Sequence, residues 1–163
     1  MTDDEEFAEF AQAHADRLRT TAYMMCRDWH LAQDLTQTAL TRLFLSWRRA
    51  VQADNLVAYA QKILLRAYLD HRRRRSSSES VPGVLHEPAY RQNPDLRLTM
   101  LDALGHLPPR DRAIVILRYF EDLSVEQVAE ALEVPAGVVK SQTRRSLAKL
   151  REMLGADQPA LFA

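Results

Sequence analysis

The sequence predicts an all-α protein of two small helical domains joined by a flexible linker, and three observations carry that expectation. Apolar residues recur at three- and four-residue spacing through most of the 163 residues, strand-like alternation is absent, and one internal stretch loses the helical pattern altogether. In that stretch Ser76-Ser77-Ser78 are followed by Pro82, Gly83, Pro88 and Pro94, residues that interrupt helices and favour turns. The expected division is an N-terminal domain over 1–75, a linker over 76–95, a C-terminal domain over 96–154 and a frayed tail over 155–163.

Each helix has its own signal. Glu6 to Cys26 carries Phe7, Phe10, Ala11, Leu18, Ala22 and Met25 at helical spacing and reads as one or two helices. Asp28 is suited to cap a second long helix, with Leu31, Leu35, Ala39, Leu43, Phe44 and Trp47 as its apolar stripe and an end near Arg48-Arg49. Asp54 or Asn55 can cap a third, with Leu56, Tyr59, Ala60, Ile63, Leu64 and Ala67 inside. Arg72 to Arg75 fall at its C-terminal end, where the helix dipole favours cations. Beyond the linker, Leu96 to Leu107 and Pro109 to Phe120 give two more helices, with Leu98, Leu101, Leu104, Ile114, Leu117 and Phe120 as their apolar positions.

Leu123 to Leu150 reads as a helix-turn-helix. Ser124 and Gln127 have capping-box spacing, and Leu123 and Val128 are placed as a hydrophobic staple. Val125, Val128, Ala129 and Leu132 form the buried face of the first helix, and Pro135 suits the first turn of the second. In that second helix Val139, Thr143, Leu147, Leu150 and Leu154 turn inward, so Lys140, Ser141, Arg144, Arg145, Ala148 and Lys149 turn outward. A short helix, a tight turn and a second helix with cations in its first two turns is the geometry that enters a DNA major groove. Arg144 or Arg145 can bridge O6 and N7 of guanine, Ser141 and Gln142 suit other base edges, and Lys140 and Lys149 suit phosphate.

A formal net charge of zero does not oppose this, because the charge is segregated. Asp3, Asp4, Glu5, Glu6, Glu9 and Asp16 precede the first arginine, whereas from Gly137 to Leu154 only Glu152 opposes five cations. A lone cysteine excludes an internal disulfide and a Cys-rich zinc site. Cys26, His30 and His14 are too sparse a set for a metal, and Cys26 reads as a small core residue. There is no glycine-rich phosphate loop and no nucleophile with a base, so no catalytic residue, cofactor or small-molecule substrate is expected. The acidic N-terminus is unlike a signal peptide, and no apolar run approaches the ~20 residues of a membrane span, which leaves the cytoplasm as the expected location and no membrane insertion.

These residues carry a resemblance. The chain resembles the extracytoplasmic-function, or group IV, sigma factors of bacterial RNA polymerase. Ala32 to Trp47 (AQDLTQTALTRLFLSW) and Asn55 to Arg75 are similar to the family's region 2, and Leu101 to Leu154 to its region 4, in the family's order and with a linker between. The resemblance implies a factor that directs polymerase to promoters by binding minus-10 and minus-35 elements. Its partners would be core polymerase, promoter DNA and an anti-sigma protein that holds it inactive. It also places core polymerase binding at Asp34, Leu35, Gln37 and Phe44, of which Asp34 and Gln37 should be the better exposed.

Minus-10 contacts follow at Asp54, Asn55, Tyr59, Lys62 and Arg66, which supply the hydrogen-bonding groups, stacking ring and cations that an unstacked base and its strand require. His71, Arg72 and Arg73 would meet the duplex backbone upstream. The family's minus-35 helix matches Gly137 to Arg145, the face already deduced from periodicity. Departures from the family pattern are Gln33 and Thr38 where acids are common, Arg66 for a frequent Asn, Val138 for a frequent Thr, and Glu133 where a Gly often ends the first helix of the motif. The alternative, a stand-alone helix-turn-helix regulator, explains the C-terminal half equally well. It does not explain the series Trp47, Tyr59, Lys62, Arg66 and Arg72 to Arg75.

Overall fold

The computed structural model describes residues 1–78 and 100–155, which belong to two compact units, Met1–Ser78 and Glu79–Ala163. Residues 79–95 of the linker expected over 76–95, the helical start at Leu96 to Thr99 and the tail beyond Gly155 lie outside the described residues.

The first unit is built from α1 (Asp3–Cys26), α2 (Trp29–Leu45), α3 (Trp47–Ala50) and α4 (Leu56–Ser78). The N-terminal segment is one helix, and it starts earlier than the apolar pattern suggests. Thr2 and Glu5 form a reciprocal capping box, and Asp3, Asp4, Glu5 and Glu6 place negative charge in the first turn, where the dipole favours it. The helix ends at Arg27, which donates its N–H to the Tyr23 carbonyl and then, with a positive φ of 61°, turns the chain out of the helix. Asp28 then caps α2, its carboxylate accepting from the His30 and Leu31 amides.

The second helix stops at Leu45, short of the expected Arg48-Arg49. Ser46 is the cause: its hydroxyl and its N–H both donate to the Arg42 carbonyl, at 2.9 and 3.1 Å, closing the last turn on itself. Trp47 therefore belongs to the separate turn α3, from which it packs between Phe7 (ring centroids 5.5 Å apart) and Phe10 (5.8 Å) of α1. Of the two candidates for capping α4, Asn55 performs the role, its Oδ1 accepting from the Ala58 amide at 3.0 Å. Helix α4 runs to Ser78, so the first three residues assigned to the linker are helical.

Helices α1, α2 and α4 pack around one core of Phe10, Leu18, Ala22, Met25, Leu35, Ala39, Leu43, Trp47, Leu64, Leu65 and Tyr68. The Tyr68 hydroxyl, buried at the centre, donates to the Met25 carbonyl at 3.2 Å and so joins α4 to the end of α1.

The second unit contains α5 (Met100–Gly105), α6 (Pro109–Val115), α7 (Val125–Leu132) and α8 (Ala136–Leu154). The segment expected as one helix to Phe120 widens after Val115 into a π-helical turn, Ile116–Phe120, where the Glu121 N–H donates to the Ile116 carbonyl five residues back. That widening turns Phe120, expected inside, out to half exposure beside Tyr119. The Arg118 guanidinium donates to the Leu123 carbonyl at 2.6 Å and fixes where α7 begins. Ser124 and Gln127 form the expected capping box, and Leu123 and Val128 are both buried.

Helix α7 ends in a Schellman motif: Val134 N–H donates to the Ala129 carbonyl and Glu133 N–H to the Glu130 carbonyl. The residue at its centre is Glu133, with φ 59° and ψ 45°. A side chain in this left-handed conformation is strained by about 1 kcal/mol, so Glu133→Gly should stabilise this unit by up to that amount, read as a higher denaturation midpoint. An unchanged or lower midpoint would show that the Glu133 side chain stabilises the turn by as much as its backbone strains it.

Candidate nucleic-acid interface

The recognition helix presents the face that its periodicity predicts. Lys140, Ser141, Arg144, Arg145, Ala148 and Lys149 are exposed, and Val139, Thr143 and Leu150 are buried. Leu147 and Leu154 are half-buried, and the buried row is completed by Ser146. Gln142 differs from its neighbours: it is half-buried and its side-chain carbonyl oxygen is enclosed without a hydrogen-bond partner, which leaves only its amide nitrogen for a base edge. The Ser141 hydroxyl donates to the Val138 carbonyl at 3.1 Å and keeps its lone pairs outward. At Gly137, in the first turn, a Cβ would meet nothing within 4 Å, so the approach to this end of the helix is open.

In the first unit, Asn55, Tyr59, Lys62, Arg66 and Arg73 recur at three- to seven-residue steps and lie along one side of α4, opposite the buried Ala60, Leu64 and Ala67. Tyr59, Lys62 and Arg66 are half-buried, and Asp54 and Asn55 are exposed at the helix start. Because Asn55 Oδ1 holds the cap, its amide group is what remains for another partner. The four consecutive arginines cannot share this side, since successive residues turn by about 100° around a helix. Arg73 continues the row, whereas Arg72 lies back over the Tyr68 ring at 6.0 Å.

His71, expected at the duplex backbone, is half-buried with Nε2 enclosed and without a partner. Burial, aided by Arg75, Arg74 and Arg72 and opposed by Asp34, pushes its pKa below the ordinary 6.5, so at neutral pH it brings no charge to phosphate. Its contribution to the stability of this unit is present above pH 6.5 and is lost as pH falls through the lowered folded value, because the unfolded chain takes up the proton first. Melting curves on both sides of that pH should show a smaller loss on acidification in His71→Gln than in the parent chain.

Helix α2 presents a third surface. Asp34 and Gln37 are exposed, as expected, but Leu35 is only 4% exposed and packs in the core, so it is removed from the candidate contacts. Phe44, also on the expected core stripe, is 45% exposed, resting edge-on against Phe7 at 5.1 Å. Sequence reasoning missed Leu45, 79% exposed beside it, because an apolar run reads as core whichever way its residues face. Phe44 and Leu45 border an open concavity of about 430 Å³ whose rim includes Asp3, Asp4, Arg48 and Arg49. Among the described residues no cluster of His, Cys, Asp and Glu could hold a metal ion, and no helix is long and apolar enough to cross a membrane.

Comparison with known proteins accounts for both units. Residues 10–78 match the family profile of Sigma-70 region 2, and residues 97–150 that of Sigma-70, region 4. The RNA polymerase sigma-E factor of Streptomyces coelicolor is 35% identical over 153 residues, covering 91% of this chain and 86% of that protein. The ECF RNA polymerase sigma factor SigE of Mycolicibacterium smegmatis is 33% identical over 156 residues, covering 90% of this chain and 60% of its own length. Among solved structures, the sigma factor RpoE of Bartonella quintana, crystallised with the anti-sigma factor NepR, shares the fold with a TM-score of 0.73 at 24% identity, over 94% of this chain and 99% of that one. The two units thus define a promoter-recognition subunit with both DNA-facing regions of the sigma-70 type. The chain belongs to the extracytoplasmic-function group of sigma-70 family RNA polymerase sigma factors, and a stand-alone regulator is set aside because both halves match.

Proposed function

We propose a division of labour in which residues 1–75 bind core polymerase and open the minus-10 element while residues 96–154 read the minus-35 element. The observation that carries the minus-35 assignment is the exposed row Lys140, Ser141, Arg144 and Arg145 at the start of a helix entered through a tight, capped turn. Arg144 and Arg145 would read bases, Lys140 and Lys149 would hold phosphate, and Ser141 would accept from a base amine, with Gln142 in a supporting position.

At the minus-10 element Asp54 and the Asn55 amide would hold an extruded base near the Tyr59 ring, with Lys62 and Arg66 along its strand and Arg72 and Arg73 on the duplex backbone upstream. The face of Asp34, Gln37 and Phe44 would dock on core polymerase, with Leu45 added to it. The chemistry of RNA synthesis would remain the polymerase's own, with no cofactor or substrate bound here. Since the Bartonella relative is held by an anti-sigma factor, a protein of that kind is a fitting further partner, and the cytoplasm is the fitting location. Engaging both elements of one promoter with a single chain would raise affinity through effective concentration.

Run-off transcription by core polymerase on fragmented genomic DNA, with and without this chain, tests the reading. Transcript starts that appear only with the chain and share two upstream elements are expected. Starts sharing a single element would remove the division of labour.

A further inference from the structure

The row along α4 that faces DNA in this reading contains one acid. Asp70 lies between Arg66 and Arg73, on the same side of the helix as both. Its carboxylate is shared: Oδ1 accepts from Arg73 Nη2 at 2.7 Å and Oδ2 from Arg42 Nη1 of α2 at 3.2 Å. Asp70 and Arg42 are each about two-thirds buried, whereas the Arg73 side chain is 78% exposed. The buried end of the triad is therefore fixed and the exposed end is the one that can let go.

We propose that Asp70 is an intrinsic counter-charge that holds Arg73 along the helix and lowers the protein's affinity for duplex DNA of arbitrary sequence. A phosphate that takes Arg73 must replace Asp70 as its partner, and both offer the guanidinium an anionic oxygen acceptor. The exchange is therefore between like partners. It is resisted for a single weak phosphate encounter, and it proceeds where neighbouring side chains already hold the strand in place. Arg42 keeps the carboxylate satisfied after Arg73 leaves, so the release strands no buried charge. Asp70 thereby acts on specificity without touching a base: it removes one phosphate contact from non-specific binding and restores it on a correctly placed strand.

The inference rests on Arg73 being a phosphate contact, and the test separates the two. Fluorescence anisotropy of a labelled duplex of scrambled sequence, titrated with the full chain over a range of salt, would compare the parent with Asp70→Asn, Asp70→Ser, Arg73→Ala and Asp70→Asn/Arg73→Ala. Both Asp70 variants should bind more tightly, with a log–log salt slope steeper by about 0.9, one phosphate contact, so that their advantage shrinks about eightfold over a decade of salt. In the Arg73→Ala background the Asp70 substitution should leave the slope where it was. A misfolded variant would bind more weakly, so the expected gain cannot arise from damage to the fold. An unchanged slope in both Asp70 variants overturns the counter-charge, as does the same steepening in the absence of Arg73, which would mark a general charge effect. If Arg73→Ala lowers neither affinity nor slope even in the Asp70→Asn background, where nothing holds the guanidinium back, the phosphate contact itself fails and the counter-charge with it.

Discussion

Holoenzyme carrying Arg144→Ala is expected to lose discrimination at one base pair of the minus-35 element by about 1–3 kcal/mol, or roughly 5- to 150-fold, and to keep its preferences elsewhere. Arg144 is exposed two turns into α8, on the side centred between Lys140 and Ala148 and directly opposite the buried row of Val139, Thr143 and Leu150. A guanidinium there can present two parallel donors to O6 and N7 of guanine, and no other base pair offers two acceptors at that spacing in the major groove. Losing the side chain leaves the guanine edge without its partner but leaves phosphate contacts intact.

The comparison that gives this result meaning is Lys149→Ala, three turns into the helix at the edge of the exposed face. If Lys149 holds phosphate, its loss should weaken every sequence equally and reduce the salt slope by about 0.9. Measuring transcription or binding on promoters varied at each minus-35 position separates the two behaviours. A uniform loss for Arg144→Ala would make it a second phosphate contact and move base reading to Arg145.

The recognition helix is legible in the sequence and the first unit less so, for a physical reason. Helix α8 is amphipathic with its two faces chemically distinct, so the 3.6-residue period alone separates Val139 and Leu150 from Arg144 and Arg145. The flanking turn is written in local chemistry too: the Ser124–Gln127 capping box depends on residues three apart, and Glu133, with its positive φ, stands where a Gly often ends the first helix of the motif. In α2 and α3 the same rule fails, because Leu43, Phe44, Leu45 and Trp47 are all apolar and periodicity cannot say which two are core. Their fate is decided by Ser46, whose hydroxyl folds back on Arg42 and restarts the helix in a new direction, and by Phe7 and Phe10 some forty residues away.

Burial of a polar residue and exposure of an interface are equally hard to read locally. Gln61 is fully buried with neither amide atom paired, and Leu35 is core although its counterparts in the resemblance suggested an interface. The Arg42–Asp70–Arg73 triad spans two helices, so no local pattern could have revealed it.

Trp47 and Phe44 convert that distinction into opposite expected outcomes from two neighbouring aromatics. Trp47 is 5% exposed and wedged between Phe7 and Phe10, so Trp47→Ala should destabilise the first unit by about 3–5 kcal/mol, from the lost transfer energy and the cavity left behind. That is a large share of the roughly 5–15 kcal/mol by which a small domain is stable, and the thermal transition of this unit should fall steeply or disappear. Phe44→Ala exposes the other logic. The ring is already 45% exposed and its main partner is the edge of Phe7, so about 0.5–1.5 kcal/mol of aromatic contact is at stake for folding.

If the exposed side of α2 docks on core polymerase, the larger effect of Phe44→Ala appears there instead. An aromatic anchor at the centre of an interface is worth about 2 kcal/mol or more, so core affinity should drop roughly 30-fold in a variant whose melting curve is nearly that of the parent. Leu45→Ala, one residue on and 79% exposed, should act in the same direction without changing the fold. Core affinity that survives both substitutions would place the polymerase contact on the polar half of α2, around Asp34 and Gln37. The concavity beside Trp47 would then have no part in that contact.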